Sequence, residues 1–442
     1  MFLKVDIKKW LEKQPQWIFV VYVIGASFST YVCMYAFRKP FAVATFEGEN
    51  FLGIDEKIWF ITAQVAGYTL SKFIGIKVVS EMKSGQRATA ILLLILFSWL
   101  SLFLFGLVPS PFRIIFLFTN GLPLGLIWGL VFAYLEGRKY TELMGAGLSV
   151  SFIFGSGIVK SVGKWVMLDL NVSEYWMPFV TGLLFIFPLM VFLFLLSKVP
   201  SPTVEDRALR TERNPMNKKQ RMAFFRHFAT VIVLLIGAYS ILLIFREMRD
   251  NFAVEIWNDL GYVDNPEIFT KSEIPVGLIA LISLGLVSFI RSNIKALFSI
   301  IFIVMGGFLL IGMGSMLFQG SYISGFFWIV ITGLGLYMAF IPFNALLFER
   351  MIATFQYTSN IGYVMYLADA IGYLTSISVF GLKSTFSPST SWADFFLNSS
   401  YFVSAGGMVI MIASSFWLHR KYNRFRISFN YKKHYDYATI SR

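Results

Sequence analysis

Twelve runs of about 20 predominantly apolar residues, separated by short polar breaks, limit what this chain can become more than any other feature. A helix rising about 1.5 Å per residue needs roughly that length to cross ~30 Å of hydrocarbon, and it satisfies its own backbone groups there. The approximate spans are 16–44, 57–80, 88–108, 112–136, 142–168, 175–199, 227–257, 272–291, 295–317, 322–348, 355–384 and 393–419. Of the 442 residues, 57% are hydrophobic and only 14% charged, a composition too apolar for a water-soluble chain of this length. The reading is an all-α polytopic membrane protein with twelve transmembrane helices.

Orientation follows from the loops, because Lys and Arg collect on the cytoplasmic side of short connections. Lys4, Lys8, Lys9 and Lys13 precede the first span, Arg207 to Arg226 fill the central loop, and Arg420, Lys421, Arg424, Arg426, Lys432 and Lys433 mark the tail. The alternate connections are acidic, with Glu47, Glu49, Asp55 and Glu56 after the first span and Asp259, Asp264 and Glu267 after the seventh. Both termini are therefore expected in the cytoplasm, as an even number of spans requires. The +13 charge is read as this topology signal, and the basic tail as a positive-inside anchor, rather than as nucleic-acid binding. The first apolar run is far longer than a signal-peptide core and should persist as a helix, in a plasma membrane of bacterial inner-membrane type. The single Cys33 excludes an internal disulfide.

The long polar stretch from Lys198 to Arg226 divides the spans six and six. The organisation expected is a cytoplasmic segment 1–15, a six-helix bundle 16–199, a cytoplasmic loop 200–226, a second bundle 227–419 and a basic tail 420–442. Internal repetition supports it. "RKPFAV" from Arg38 to Val43 returns as "RDNFAV" from Arg249 to Val254 at an offset of 211 residues. "GLPLGLIWGLVFAYLEGR" from Gly121 aligns with "GLGLYMAFIPFNALLFER" from Gly333 at an offset of 212. Two matches at nearly one offset argue for homologous, pseudo-symmetric halves.

Ionisable residues within spans are costly unless they face protein or water, so each marks a candidate site. They are Arg38, Lys39, Lys72, Lys77, Lys160 and Lys164 in the first half, and Arg246, Glu247, Arg249, Asp250 and Asp369 in the second. This cationic balance suits an anion, and Arg offers a planar fork for phosphate or carboxylate oxygens. Arg38 and Arg249 hold repeat-related positions, which would bring them together across a central cavity. Lys39, Lys77, Lys164 and Arg246 also suit helix ends, where long side chains snorkel to the interface. Asp250 suits an ion pair with Arg249 or Arg246. For Asp369 three roles stay open: a proton carrier, a partner for Lys160 or Lys164, or a buried neutral acid. Tyr31, Tyr35, Tyr68 and Tyr239 share helices with these cations and are candidate ligand hydrogen bonders. The three histidines, His227, His419 and His434, lie near the cytoplasmic side or in the tail, so neither a metal site nor a buried His base is expected. Gly306 and Gly307 read as close helix packing rather than a phosphate loop.

Several of these segments resemble the organophosphate:phosphate antiporters of the major facilitator superfamily. "YAFRKPFAVA" is similar to that family's tyrosine-rich run ending in Arg-Lys-Asn-Phe-Ala, and Arg38 takes the place of its phosphate-contacting Arg. "GYTLSKFIGIKVVSEMKSGQR" resembles its Gly-Phe-Ser-Lys-Phe segment, with Lys72 at the cavity lysine. "REMRDNFAVEIW" offers Arg249, or less well Arg246, as the second phosphate-binding Arg before Trp257. There are departures. Phe152 or Ile153 stands where the family carries a helix-5 His, with Lys160 one to two turns later. Glu81 and Met82 replace its Asp-Arg after helix 2, and Glu349 and Arg350 lack its full pattern.

The function this implies is secondary transport, not enzymatic catalysis, by alternating access in a major facilitator fold. The solute is a small organic anion, expected to be a phosphate ester exchanged for inorganic phosphate. Substrate would be bound by Arg38, Arg249, Lys72, Lys160, Tyr35 and Tyr68. Proton coupling through Asp369 or Glu247 is the alternative, with Asp250 and Arg246 as coupling or ion-pair residues; a membrane ligand sensor of the same fold is a further one. The expected partners are the anionic solute, phosphate or protons as the coupling ion, and the bilayer. No nucleic acid, cofactor or metal is called for, and the chain is expected to be a monomer.

Overall fold

The computed structural model describes residues 6–46, 50–203, 206, 218–357, 361–386 and 390–440. Twelve long helices, numbered in chain order, dominate it. In the first half they are α1 Gln16–Tyr35, α2 Glu56–Glu81, α3 Arg87–Leu107, α4 Arg113–Phe132, α5 Thr141–Leu168 and α6 Met177–Ser197. In the second they are α7 Lys218–Asn251, α8 Glu267–Ser288, α9 Asn293–Gln319, α10 Gly325–Ala345, α11 Ile361–Phe386 and α12 Trp392–Ile440. Ten of the twelve are long and apolar enough to cross a membrane on length and composition alone. The exceptions, α2 and α11, carry Lys72 and Asp369 and pack against each other where the halves meet. The second seam is α5 against α8. Outward-facing side chains are apolar, with Phe187, Phe402 and Phe416 each at least 70% exposed, as lipid contact requires. The molecule is a multi-pass integral membrane protein of two six-helix bundles.

Several expected boundaries shift, among them the seventh span, read as 227–257 and found as the helix Lys218–Asn251; two others matter for the architecture. The first span, read as one tilted helix to residue 44, ends at Tyr35. Pro40 has no N–H to donate and its ring clashes with the carbonyl four residues back, so the helix closes before it. The Arg38 and Lys39 amides both donate to the Tyr35 carbonyl at 3.0 and 2.9 Å, and a short 3-10 turn, Pro40–Val43, follows. The last span, read as ending at 419, continues as helix to Ile440.

Close approach of α2 and α4 fixes the floor under the α1 break. A Cβ on Gly121 would lie 2.1 Å from the Gln64 carbonyl oxygen, and one on Gly67 2.2 Å from that of Phe118. Both contacts are with backbone, so the helices would have to move apart. Gly121→Ala is expected to lower stability by about 1–3 kcal/mol, seen as a reduced Tm of the purified protein. Gly25→Ala, with no heavy atom within 4 Å of the added carbon, should leave Tm unchanged; equal shifts in the two variants would contradict this packing.

Candidate functional site

Ending α1 inside the protein frees carbonyl groups that must find donors. Two amide side chains supply them. Gln64 on α2 donates to the Arg38 carbonyl at 2.9 Å and to the Asn120 side-chain oxygen at 2.8 Å. Asn120 on α4 donates to the Phe37 carbonyl at 2.9 Å and to Ser98 on α3, at 3.0 Å to its carbonyl and 2.6 Å to its hydroxyl. The break is thus held from α2, α3 and α4, and the consecutive side chains Arg38 and Lys39 leave it for different destinations.

Arg38 enters a small central cavity of about 20 Å³ whose wall also includes Tyr31, Tyr35, Tyr68, Lys72, Trp128, Phe152, Tyr239, Arg246, Asn344, Asp369 and Tyr373. Its guanidinium lies 3.9 Å from the centre of the Tyr68 ring. Arg38 is 2% exposed, yet its Nε and Nη2 have no hydrogen-bond partner, and no carboxylate pairs with it among the described residues. A desolvated cation–π contact is worth about 2 kcal/mol, whereas the desolvation of a buried charge costs several. The arginine is left with an electrostatic deficit that an anion in the cavity would fill.

The other two cations on this wall are compensated. Lys72 Nζ lies 2.9 Å from Asp369, whose other carboxylate oxygen accepts from the Tyr239 hydroxyl. Arg246 pairs with Glu247, donates to the Tyr373 hydroxyl at 2.8 Å and lies over the Phe340 ring at 4.5 Å. The wall therefore holds three cations against Asp369, with Glu247 bound behind it.

Lys39 leads into a separate buried cluster. Its ammonium sits 2.6 Å from Asp250 and 3.6 Å from Glu247, and donates to the Asn251 side chain at 3.0 Å. Lys160 and Ser156 from α5 complete the shell of Asp250. Lys39 and Asp250 are repeat-related, one position beyond Arg38 and Arg249, so the ion pair lies across the seam between equivalent points of the two halves. Further ties close the same end of the cavity: Lys57 binds Glu255 and the Ala42 carbonyl, and Lys164 lies 2.8 Å from Asp264. At the opposite end Arg350 joins Glu142 at 2.7 Å and Asn293 at 2.8 Å. The halves are bridged at both ends, an occluded arrangement.

The expected site residues are divided accordingly. Arg38, Lys72, Tyr35 and Tyr68 share the cavity, and Asp369 joins them. Arg249 does not meet Arg38. It turns to Glu273 on α8 at 2.5 Å, in a small neighbouring cavity of about 10 Å³ that Lys160 also lines, with Gly333 leaving room for its guanidinium. Arg246, one turn earlier, takes the place beside Arg38. Lys39 is not interfacial: it is 1% exposed. Asp369 pairs with neither Lys160 nor Lys164, and Asp250 pairs with cations of the opposite half rather than with Arg246 or Arg249. The side chain of Lys77 lies outside the described residues. Sequence reasoning missed Gln64, Asn120 and Tyr373. The first two were legible as amides isolated in apolar helices, and Tyr373 as an aromatic one turn from Asp369.

A family model described as "Family of unknown function (DUF5690)" matches residues 40–421, and no curated protein matches the chain. Solved structures with the same fold include a D-xylose–proton symporter, at TM-score 0.58 and 15% identity, covering 90% of this chain and 97% of that one. A bacterial homologue of the human drug peptide transporters PepT1 and PepT2 matches at TM-score 0.58 and 11% identity, covering 91% and 99%. A bacterial homologue of the human lysosomal transporter Spinster, in an inward-facing and unoccupied conformation, matches at 0.58 and 12%, covering 92% and 98%. The chain has the twelve-helix major facilitator fold.

Neighbouring cations in this site should respond oppositely to removal. Lys39→Met strands Asp250 and Glu247 with less compensation and is expected to lose about 3–5 kcal/mol. Arg38→Met leaves no carboxylate behind and should hold or raise Tm. A large destabilisation by Arg38→Met, measured by thermal unfolding beside Lys39→Met, would make Arg38 a structural residue.

Proposed function

The chain belongs to the DUF5690 family, whose function is unknown, and we propose that it is a secondary transporter moving a small organic anion by alternating access. The observation that carries this reading is Arg38: buried, without a carboxylate at ion-pair distance among the described residues, and facing a cavity at the junction of two pseudo-symmetric bundles. In this closed arrangement the cavity measures about 20 Å³, room for little more than a water, so a solute would enter with one end of the molecule open. Five tyrosines and Trp128 provide stacking faces and hydroxyls for its organic part, while Arg38 takes the anionic group and Arg246 and Lys72 add field. Phosphate or carboxylate oxygens both fit a guanidinium fork; the resemblance of "YAFRKPFAVA" favours a phosphate ester exchanged for inorganic phosphate.

Alternating access requires the bridges at the two ends to open in turn. Lys57–Glu255 and the Lys39–Asp250–Lys160 cluster would part on one side, and Arg350–Glu142 on the other. Proton coupling is the second reading, and a specific contact favours it: Asp369 sits between Lys72 and Tyr239 on the cavity wall. An anion drawn to Lys72 would compete with Asp369 for the ammonium.

Proteoliposomes test both. Purified protein should take up a phosphate ester faster when inorganic phosphate is loaded inside. Arg38→Gln should weaken binding by about 30-fold or more, the lower end of what removing one partner of a buried charged contact costs, with Tm maintained. Unchanged affinity in that variant would remove Arg38 from the site. Uptake that follows an inward proton gradient alone, and that loses this dependence in Asp369→Asn, would replace phosphate exchange by proton coupling.

A further inference from the structure

Far from the central cavity, α12 carries a basic and aromatic stripe. Trp417, Arg420, Lys421 and Arg424 recur at helical spacing on one face, and this face closes a groove of about 800 Å³ together with Phe355 and Tyr357 from the segment after α10. Lys421 is anchored: its ammonium donates to the His227 carbonyl in the third turn of α7 and lies 4.2 Å from the Phe228 ring and 4.7 Å from that of Trp417. Arg420 and Arg424 are exposed, and no carboxylate pairs with either among the described residues. Three like charges within little more than one turn repel one another, so the arrangement is complementary to an anion.

What surrounds the charges identifies the source of that anion. Immediately before Trp417, the outward face of α12 shows Val409, Ile412 and Phe416 at 67, 52 and 70% exposure, a continuous lipid-facing strip leading into the groove. Free phosphate gains nothing from that strip, whereas an acyl chain lies along it as its head group reaches the arginines. Tryptophan and tyrosine at the rim are the side chains suited to head-group depth, and basic pockets between helices bind anionic head groups. We propose that this groove is a binding site for an anionic phospholipid, with Arg420 and Arg424 on the phosphate, Lys421 as a fixed positive charge and the chains along Phe416 and Ile412. The site is independent of the transport reading and joins three parts of the second bundle: the third turn of α7, the segment after α10, and α12.

The test is lipid retention by the full chain. Protein is reconstituted into vesicles of phosphatidylcholine alone or mixed equally with phosphatidylglycerol, released into mild detergent, and weighed intact by native mass spectrometry. The wild type should retain phosphatidylglycerol in preference to phosphatidylcholine. Arg420→Gln with Arg424→Gln should reduce that preference by about 30-fold, from two lost interfacial cations. Arg420→Lys with Arg424→Lys should keep most of it, which excludes misfolding as the cause. Lys8→Gln with Lys9→Gln removes two exposed cations from another basic segment and should change nothing. Unchanged retention in the double Gln variant, or an equal loss in the Lys8 and Lys9 variant, overturns the site. Thermal protection by inorganic phosphate equal to that by phosphatidylglycerol would overturn the lipid as its occupant.

Discussion

A carbonyl group without a donor inside a membrane protein costs several kcal/mol, and the end of α1 at Tyr35 exposes such groups where the cavity is built. Gln64 and Asn120 absorb that cost, and much of the central architecture depends on their doing so. Their reach is short, so α2 and α4 must nearly touch, which Gly67 and Gly121 allow. With the break held, Arg38 and Lys39 diverge, one into the cavity and the other into the seam. In an unbroken helix the two would differ by about 100° in direction and by one rise along the axis, and neither destination would be assured.

The buried charges then sort themselves by compensation. Glu247 and Asp250 are shared among Lys39, Arg246 and Lys160, Glu273 holds Arg249, and Asp369 holds Lys72. Such pairs contribute little net stability over apolar packing, yet removing one member is costly. They therefore specify how the two bundles fit rather than how strongly they adhere. Arg38 stands outside this scheme, which is why the proposed ligand site is built on it rather than on the more numerous lysines.

Much of the fold was legible because bilayer thickness sets helix length so strictly, and the repeat at Arg38 and Arg249 announced two related halves. Lys72 and Tyr68 were marked by lying well inside their apolar run, whereas Arg38, with Tyr35 one turn before it, stands at the end of its run and was marked by the repeat with Arg249. Arg246 and Arg249 could not be told apart in the same way. They sit three residues apart on one helix, so which faces the cavity depends on a modest rotation of α7, and the partner Arg249 finds, Glu273, lies on another helix. The partners of Asp369 and Lys39 were hidden for the same reason: both pairings cross between halves, and no local pattern encodes a contact over two hundred residues away. The amides at Gln64 and Asn120 went unread because a neutral polar residue in an apolar run is a weaker signal than a charge.

The Lys39–Asp250 contact carries a consequence for how such a molecule can be assembled. Two copies of a single bundle related by a true two-fold axis would present the same residue to itself at this point: ammonium against ammonium, or carboxylate against carboxylate. Neither makes a bond. The contact exists only because the halves differ there, so a dimer of first halves or of second halves would be repelled at the spot where the full chain is joined. One residue position thereby disfavours the pairing of like halves and favours the pairing of unlike ones.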